Sequence, residues 1–288
     1  CHHQRGFKRL RTSGRGGIVK NIFGLEDEIA VVTGALGKLG PIWIEALLAS
    51  GASVFALDLA GSEVSEKFAK LQSQYDETRL KLDRTDVRNR QSLETVCKNC
   101  ITAFGVPTIL VNNAGIDRPP ANSSKGYRLE EIPLEENREI FEVNTLGLFQ
   151  VTQIFGARMV AAGRGSIINI GSLYAGVSPD ERFYDHIPGD PPFLKPPAYG
   201  ASKAAVVNLT RYLATLWAPH GVRVNALSPG GVLGGQDEEF KRKFCQRVPM
   251  GRMATAEDLR GPLLFLASQA SSYVTGTELI VDGGFTAW

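Results

Sequence analysis

Seven short β-rich runs alternate with amphipathic stretches across residues 25–288, and no composition break or flexible linker interrupts them. These two observations predict an α/β fold of one domain, a doubly wound, mostly parallel sheet of about seven strands with helices on both faces. In chain order, "EIAVVTG" (28–34) reads as a strand and "PIWIEALLASG" (41–51) as a helix closed by glycine. "ASVFALDL" (52–59) is the next strand, followed by a helix near 63–75, a short strand near 79–83 and a helix at 89–104. "PTILVNNAG" (107–115) is a strand, residues 134–162 one long helix, and "GSIINIGS" (165–172) a strand. A second long helix is expected at about 197–219, then the strand "VRVNALSPGG" (222–231). Helices at 237–246 and 256–268 and the strand "TELIVDGG" (277–284) complete the pattern. Each helix between strands acts as a crossover, which is why the sheet is expected to be parallel.

The bulk numbers agree with one globular domain. The 288 residues are 43% hydrophobic and 22% charged, and no apolar run approaches the roughly 20 residues that span a bilayer. Residues 1–20 hold six Lys or Arg and no acid, so the remainder balances 26 basic against 30 acidic residues, −4. That mildly acidic body argues against nucleic acid as the main partner, and neither a nucleic-acid nor a membrane partner is expected. Residues 1–24 read as a basic, disordered extension, although an acid-free, Arg-rich start also has transit-peptide composition. The expected location is the cytoplasm. Four cysteines are too few for a disulfide scaffold in a chain of this length. Cys97 and Cys100 have redox or zinc spacing, but they fall inside a helix pattern and no second Cys or His pair completes a metal site. No metal is expected.

"TGALGKLG" (33–40) follows a strand and opens a helix, the setting of a phosphate-binding turn. Gly34 permits the tight turn, Gly37 lets the backbone approach a pyrophosphate, and Gly40 lets helix pack on strand. Leu39 completes the loop, and Pro41 suits a first helical turn. The helix N-terminus then offers N–H groups to phosphates. Lys38 reads either as a phosphate contact or as a solvated lysine. Asp58 ends the second strand, 18 residues after Gly40, where a carboxylate bonds a ribose 2′-OH and repels a 2′-phosphate. Leu59-Ala60-Gly61 supply no Arg to receive that phosphate. The expected cofactor is therefore NAD rather than NADP.

Tyr199 and Lys203, four apart, share one face of a helix. A phenol pKa near 10 must fall by about 3 units for base catalysis near pH 7, roughly 4 kcal/mol, and an adjacent ammonium moves it that way. Ser172 closes a strand where its hydroxyl can hold a substrate oxygen. In order, "TGALGKLG", "NNAG" (112–115), Asn144 in "EVNTLG", Ser172, "YGASK" (199–203), "NALSPGG" (225–231) and "VTGTELIVDGG" (274–284) resemble the short-chain dehydrogenase/reductase family over about residues 25–288. The resemblance implies a Rossmann fold and hydride transfer between a nicotinamide and a secondary alcohol or ketone. It implies that Tyr199 is the general acid/base, that Ser172 bonds the reacting oxygen and that Lys203 serves both phenol and nicotinamide ribose. It further implies that Asn144 holds a relay water, that Asp86 and Val87 meet the adenine and that Asn113, Ala114 and Gly115 line the cofactor. Pro229, Gly230 and Val232 are expected along the nicotinamide, although "GVLGGQ" lacks the hydroxyl the family commonly places there.

Within the family the chain looks most like gluconate 5-dehydrogenase-like and surface-glycan or flagellin-modification reductases. Two other readings stand beside it, a 3-oxoacyl-carrier reductase and a catalytically silent dinucleotide-binding regulator. Ser172 and Tyr199 lie 27 positions apart, and six prolines punctuate the chain between them. A loop that long in a compact domain is usually functional. Residues 173–198 are expected to cover the nicotinamide end, with Tyr174, Tyr184 and His186 meeting a hydroxylated, possibly anionic, small molecule alongside Ser172 and Tyr199. Arg182 is expected to join them in setting selectivity. The two long helices carry surplus apolar residues, and the resemblance implies that they bury as faces of a homodimer or homotetramer.

Overall fold

The computed structural model describes residues 21–118 and 126–288; the basic segment 1–20 lies outside them. Seven strands form one sheet in the order β3-β2-β1-β4-β5-β6-β7, and every neighbouring pair is parallel. They are β1 (Ile29–Thr33), β2 (Ser53–Asp58), β3 (Leu80–Arg84), β4 (Ile109–Asn112), β5 (Gly165–Ile170), β6 (Val222–Pro229) and β7 (Glu278–Val281). The single-domain α/β expectation holds. The inner strands β1, β2, β4, β5 and β6 are buried nearly end to end because helices cover both faces, while the edge strands β3 and β7 are only partly covered.

On one face, helices α1 (Gly40–Ala49) and α8 (Ala256–Ala267) pack Trp43, Ile44, Leu47, Leu259 and Leu263 onto the sheet, with Phe68 from α2 (Glu66–Gln74). On the other face, Leu93 and Val96 of α3 (Arg90–Phe104) meet Phe155 and Met159 of α5 (Leu148–Ala162) and Leu213 of α6 (Pro197–Trp217). The ends are set locally. Ser65 and Asn89 cap α2 and α3 through their side-chain oxygens, and Thr255 with Asp258 forms a capping box on α8. Cys97 and Cys100 are buried on α3, and burial lifts the Cys100 thiol to about 12.

The long helix expected at 134–162 is broken. Helix α4 (Leu134–Phe141) passes into a π-helical turn, Glu142–Gly147, before α5. Gly147 belongs there sterically, since a Cβ on it would stand 2.6 Å from Cγ2 of Val87. The turn carries Asn144, which is completely buried. The short helix α7 (Glu238–Arg247) packs against the segment that follows β5.

Strand order reverses between β1 and β4, so their C-terminal ends open the crevice typical of ligand sites in such sheets. That crevice is braced by one bracket. Thr33 Oγ1 accepts from the N–H groups of Asn113 (3.1 Å) and Ala114 (3.0 Å). Asn113 Nδ2 donates to the carbonyl of Gly34 (2.8 Å), and Trp43 Nε1 donates to Asn113 Oδ1 (2.8 Å). Gly34, at φ 63°, is required because a Cβ would lie 2.8 Å from Ala114 Cα. Trp43→Phe removes the indole N–H that Asn113 Oδ1 accepts from and leaves a small void where the pyrrole ring packed. Calorimetry should show a cost of about 1–3 kcal/mol and a melting point lower by roughly 3–10 °C.

Candidate active site

A cavity of about 1370 Å³ runs across the C-terminal ends of the strands. At one end lie Gly34, Gly37, Lys38, Leu39 and Asp58, with Asp86 and Val87 beside them; Asn113, Ala114 and Gly115 line the middle. At the other end lie Ser172, Tyr199 and Lys203, with Pro229, Gly230 and Val232 along the wall. Most sequence-predicted positions thus meet in one space. Gly40 and Asn144 stand behind the lining. A Cβ on Gly40 would press to 2.4 Å from the carbonyl oxygens of Gly34 and Ala35, so this glycine serves packing.

Asp58 is held in place by three donors. Leu36 N (2.7 Å) bonds one oxygen, while Leu59 N (2.7 Å) and Ser62 Oγ (2.8 Å) bond the other. Arg84 pairs in register beside it on β3, but its guanidinium donates to the carbonyls of Leu59 (2.8 Å) and Ser62 (3.1 Å). Asp86 is gripped by Arg88, whose bidentate bonds hold the carboxyl below its ordinary range. Lys38 is exposed at the rim of the cavity and has a partner of its own. Its ammonium donates to the carbonyl of Val232 (3.0 Å), clasping the glycine loop to the turn after β6, and burial lowers its pKa.

At the reacting end, Lys203 Nζ donates to the carbonyl of Ile170 (2.8 Å) and lies 5.9 Å from the centroid of the Tyr199 ring. Burial pulls this ammonium down to about 8, and the charge of Asp117 opposes the shift. Tyr199 keeps partial exposure to the cavity and hydrogen-bonds Ser172. In the protein alone its pKa lies above the ordinary phenol value, chiefly through desolvation and secondly through Asp117. Asn144 donates to the Ile116 carbonyl (2.9 Å) and Ser202 Oγ (3.1 Å) and accepts from Ile116 N (2.7 Å). Its side chain braces the backbone after β4.

The segment 173–198 is built rather than loose. Two short 3-10 turns, Leu173–Ala175 and Glu181–Phe183, are anchored by a separate aromatic core. Phe183 packs on Phe240, Phe244 and Phe285, and Tyr184 on Phe193 and Phe240. Tyr174, Tyr184, His186, Phe193 and Lys195 face the cavity. The Tyr184 hydroxyl bonds that of Tyr174, and burial raises Tyr174 to about 12. His186 Nε2 pairs with Asp237 (2.8 Å), the N-cap of α7. Arg182 departs from expectation: it chelates Asp180, is 77% exposed and lies on the outer surface.

The family model described as enoyl-(acyl carrier protein) reductase matches residues 40–286. The chain belongs to the short-chain dehydrogenase/reductase family. An NAD-dependent glycerol dehydrogenase of Listeria innocua is 32% identical over 92% of this chain and 96% of its own length. A galactitol 2-dehydrogenase of Rhizobium johnstonii is 33% identical over 92% and 98%. The crystal structure of a gluconate 5-dehydrogenase from Burkholderia cenocepacia, in complex with NADP and tartrate, superposes with a TM-score of 0.78 at 29% identity, covering 93% and 98%. Among the described residues, no helix is long and apolar enough to cross a membrane.

Within this short-chain dehydrogenase/reductase, sequence reasoning passed over Thr33, Trp43 and Asp117. The bracketing pair Thr33 and Trp43 had a signal, a hydroxyl and an indole flanking the glycine loop. Asp117 had none beyond adjacency to "NNAG". Its partner Lys195 was visible only as one charge in the long segment. Lys203 gives a pH-dependent prediction. Between about pH 8 and 10.5 the unfolded chain binds a proton that the folded site has released, so stability rises with pH across that window. Lys203→Met lacks this gain. Denaturant titrations should show the wild-type-minus-variant stability growing by on the order of 3 kcal/mol from pH 8 to 10.5.

Proposed function

We propose that the chain is an NAD-dependent dehydrogenase/reductase that acts on a polyhydroxylated secondary alcohol or the corresponding ketone. One observation carries the reading. A single cavity joins a dinucleotide-shaped cradle, ending at Asp58, to the cluster Ser172, Tyr199 and Lys203 under a tyrosine-lined wall. The cradle fits the cofactor on steric and electrostatic grounds. A Cβ on Gly37 would crowd the Gly34 carbonyl at 3.3 Å, and one on Gly115 would stand 3.2 Å from Asn144 Oδ1. Asp58 would hold the adenosine ribose, and Lys203 the nicotinamide ribose. NAD is favoured over NADP because Asp58 lines the cavity while Arg84, spent on two carbonyls, does not.

A bound nicotinamide supplies the hydride acceptor or donor. The chain's own residues handle the proton. Ser172 orients the reacting oxygen, and Tyr199 Oη takes its proton in oxidation or returns it in reduction. Lys203, close to the ring and fixed by Ile170, favours the phenolate once burial is offset. The partly polar wall of Tyr174, Tyr184 and His186 suits hydroxyl groups better than an acyl chain. The silent-regulator reading fits less well, because Ser172, Tyr199 and Lys203 keep a reactive arrangement. We further propose a homodimer or homotetramer, supported by the exposed apolar residues Leu146, Tyr212 and Leu216 along the expected faces.

The purified chain should oxidise polyols or reduce keto sugars, with kcat/KM about tenfold or more higher for NAD(H) than for NADP(H), a difference of roughly 1.4 kcal/mol. Asp58→Ala should narrow that ratio. Tighter binding of NADPH than NADH by the wild type would contradict the cofactor assignment.

A further inference from the structure

The substrate end contains a charged pair that the reaction does not need. Lys195 Nζ donates to both oxygens of Asp117, at 2.7 and 2.8 Å. It lies 5.0 Å from the Tyr199 ring centroid and 5.7 Å from that of Tyr174. The two partners are unequally covered. The Lys195 side chain is 5% exposed, whereas that of Asp117 is 38% exposed and lines the cavity. Both line the cavity, but the accessible part of the pair is mostly the carboxylate, since its countercharge is nearly covered in the wall. Asp117 lines the same cavity as Tyr199, Lys203, Tyr174 and Tyr184, and its charge acts on all four.

The cations that would receive an anionic substrate are committed elsewhere. Arg182 chelates Asp180 on the outer surface, His186 pairs with Asp237, and Lys203 is fixed on Ile170. Among the described residues that line this end, no cation faces the cavity without such a partner. We infer that Asp117, held by Lys195, is a specificity-determining residue that accepts hydrogen bonds from substrate hydroxyls and rejects substrate carboxylates, so that the site takes neutral polyols and keto sugars rather than sugar acids. Two features of a carboxylate produce this selection. Ionised acceptors make the stronger hydrogen bonds with O–H donors, and like charges placed side by side act against the wrong ligand. The inference rests on the polyhydroxylated-substrate reading above and narrows it.

The test compares matched pairs, galactitol with galactonate and ribitol with ribonate, as substrates and as inhibitors. The wild type should prefer the polyols. Asp117→Asn, nearly isosteric, should lower polyol kcat/KM by about tenfold to hundredfold, mainly through KM, with aldonate kcat/KM rising. NADH affinity, followed by fluorescence, should stay unchanged. A parallel loss for both classes would make the pair a structural strut and overturn the inference. Wild-type preference for aldonates, in turnover or inhibition, would overturn it without any variant and leave the dehydrogenase reading standing. Absence of turnover of every hydroxylated compound would instead remove the reading beneath it, and the inference with it.

Discussion

Two ammonium groups are buried beside one phenol, and much of the structure exists to make that arrangement stable. Taking Lys203 and Lys195 out of water is costly unless each finds a strong partner. The fold supplies a main-chain carbonyl at the end of β5 for the first and a carboxylate after β4 for the second. Both partners lie on chain that leaves the C-terminal edge of the parallel sheet, Ile170 at the end of β5 and Asp117 five residues after β4. Burial, with the charge of Asp117 second, raises the pKa of the phenol between them. Ser172 is bonded to its hydroxyl, and Lys203 stands close to its ring.

The same constraint accounts for the order of the rest. Helix α6 carries Tyr199 and Lys203 one turn apart, so their spacing is helical geometry. The π-helical turn at Glu142–Gly147 buries Asn144 against Ile116, and Ile116 fixes the backbone that presents Asp117. Lys195 comes from the long segment between Ser172 and α6. That segment needs its own aromatic core, built with α7 and Phe285, because an unanchored loop could not hold a buried charge in place.

The parallel sheet, its helices, the glycine loop and the Ser172, Tyr199 and Lys203 cluster were legible because they rest on local rules: periodicity, capping and fixed spacing. The π turn was not legible, since Val87, which forces Gly147 to be small, lies 60 positions earlier in the chain. Lys38 and Arg182 were visible as charges, but their partners were not. Lys38 reaches across to the carbonyl of Val232, and Arg182 turns outward onto Asp180. Asp117 was silent for the same reason: its meaning comes from Lys195, 78 residues away. Tertiary pairing, rather than residue type, decides which of these charges belong to the site.

The central claim is that the Tyr199 phenol moves the proton while the surrounding charges and cradle persist without it. Stopped-flow single turnovers with Tyr199→Phe test it most directly, with the NADH dissociation constant measured on the same sample. The account predicts a hydride-transfer rate lower by about 10²–10⁴-fold with NADH affinity unchanged. A Phe variant that turns over within about tenfold of the wild type, well inside that range, would remove Tyr199 from the chemistry and contradict the account.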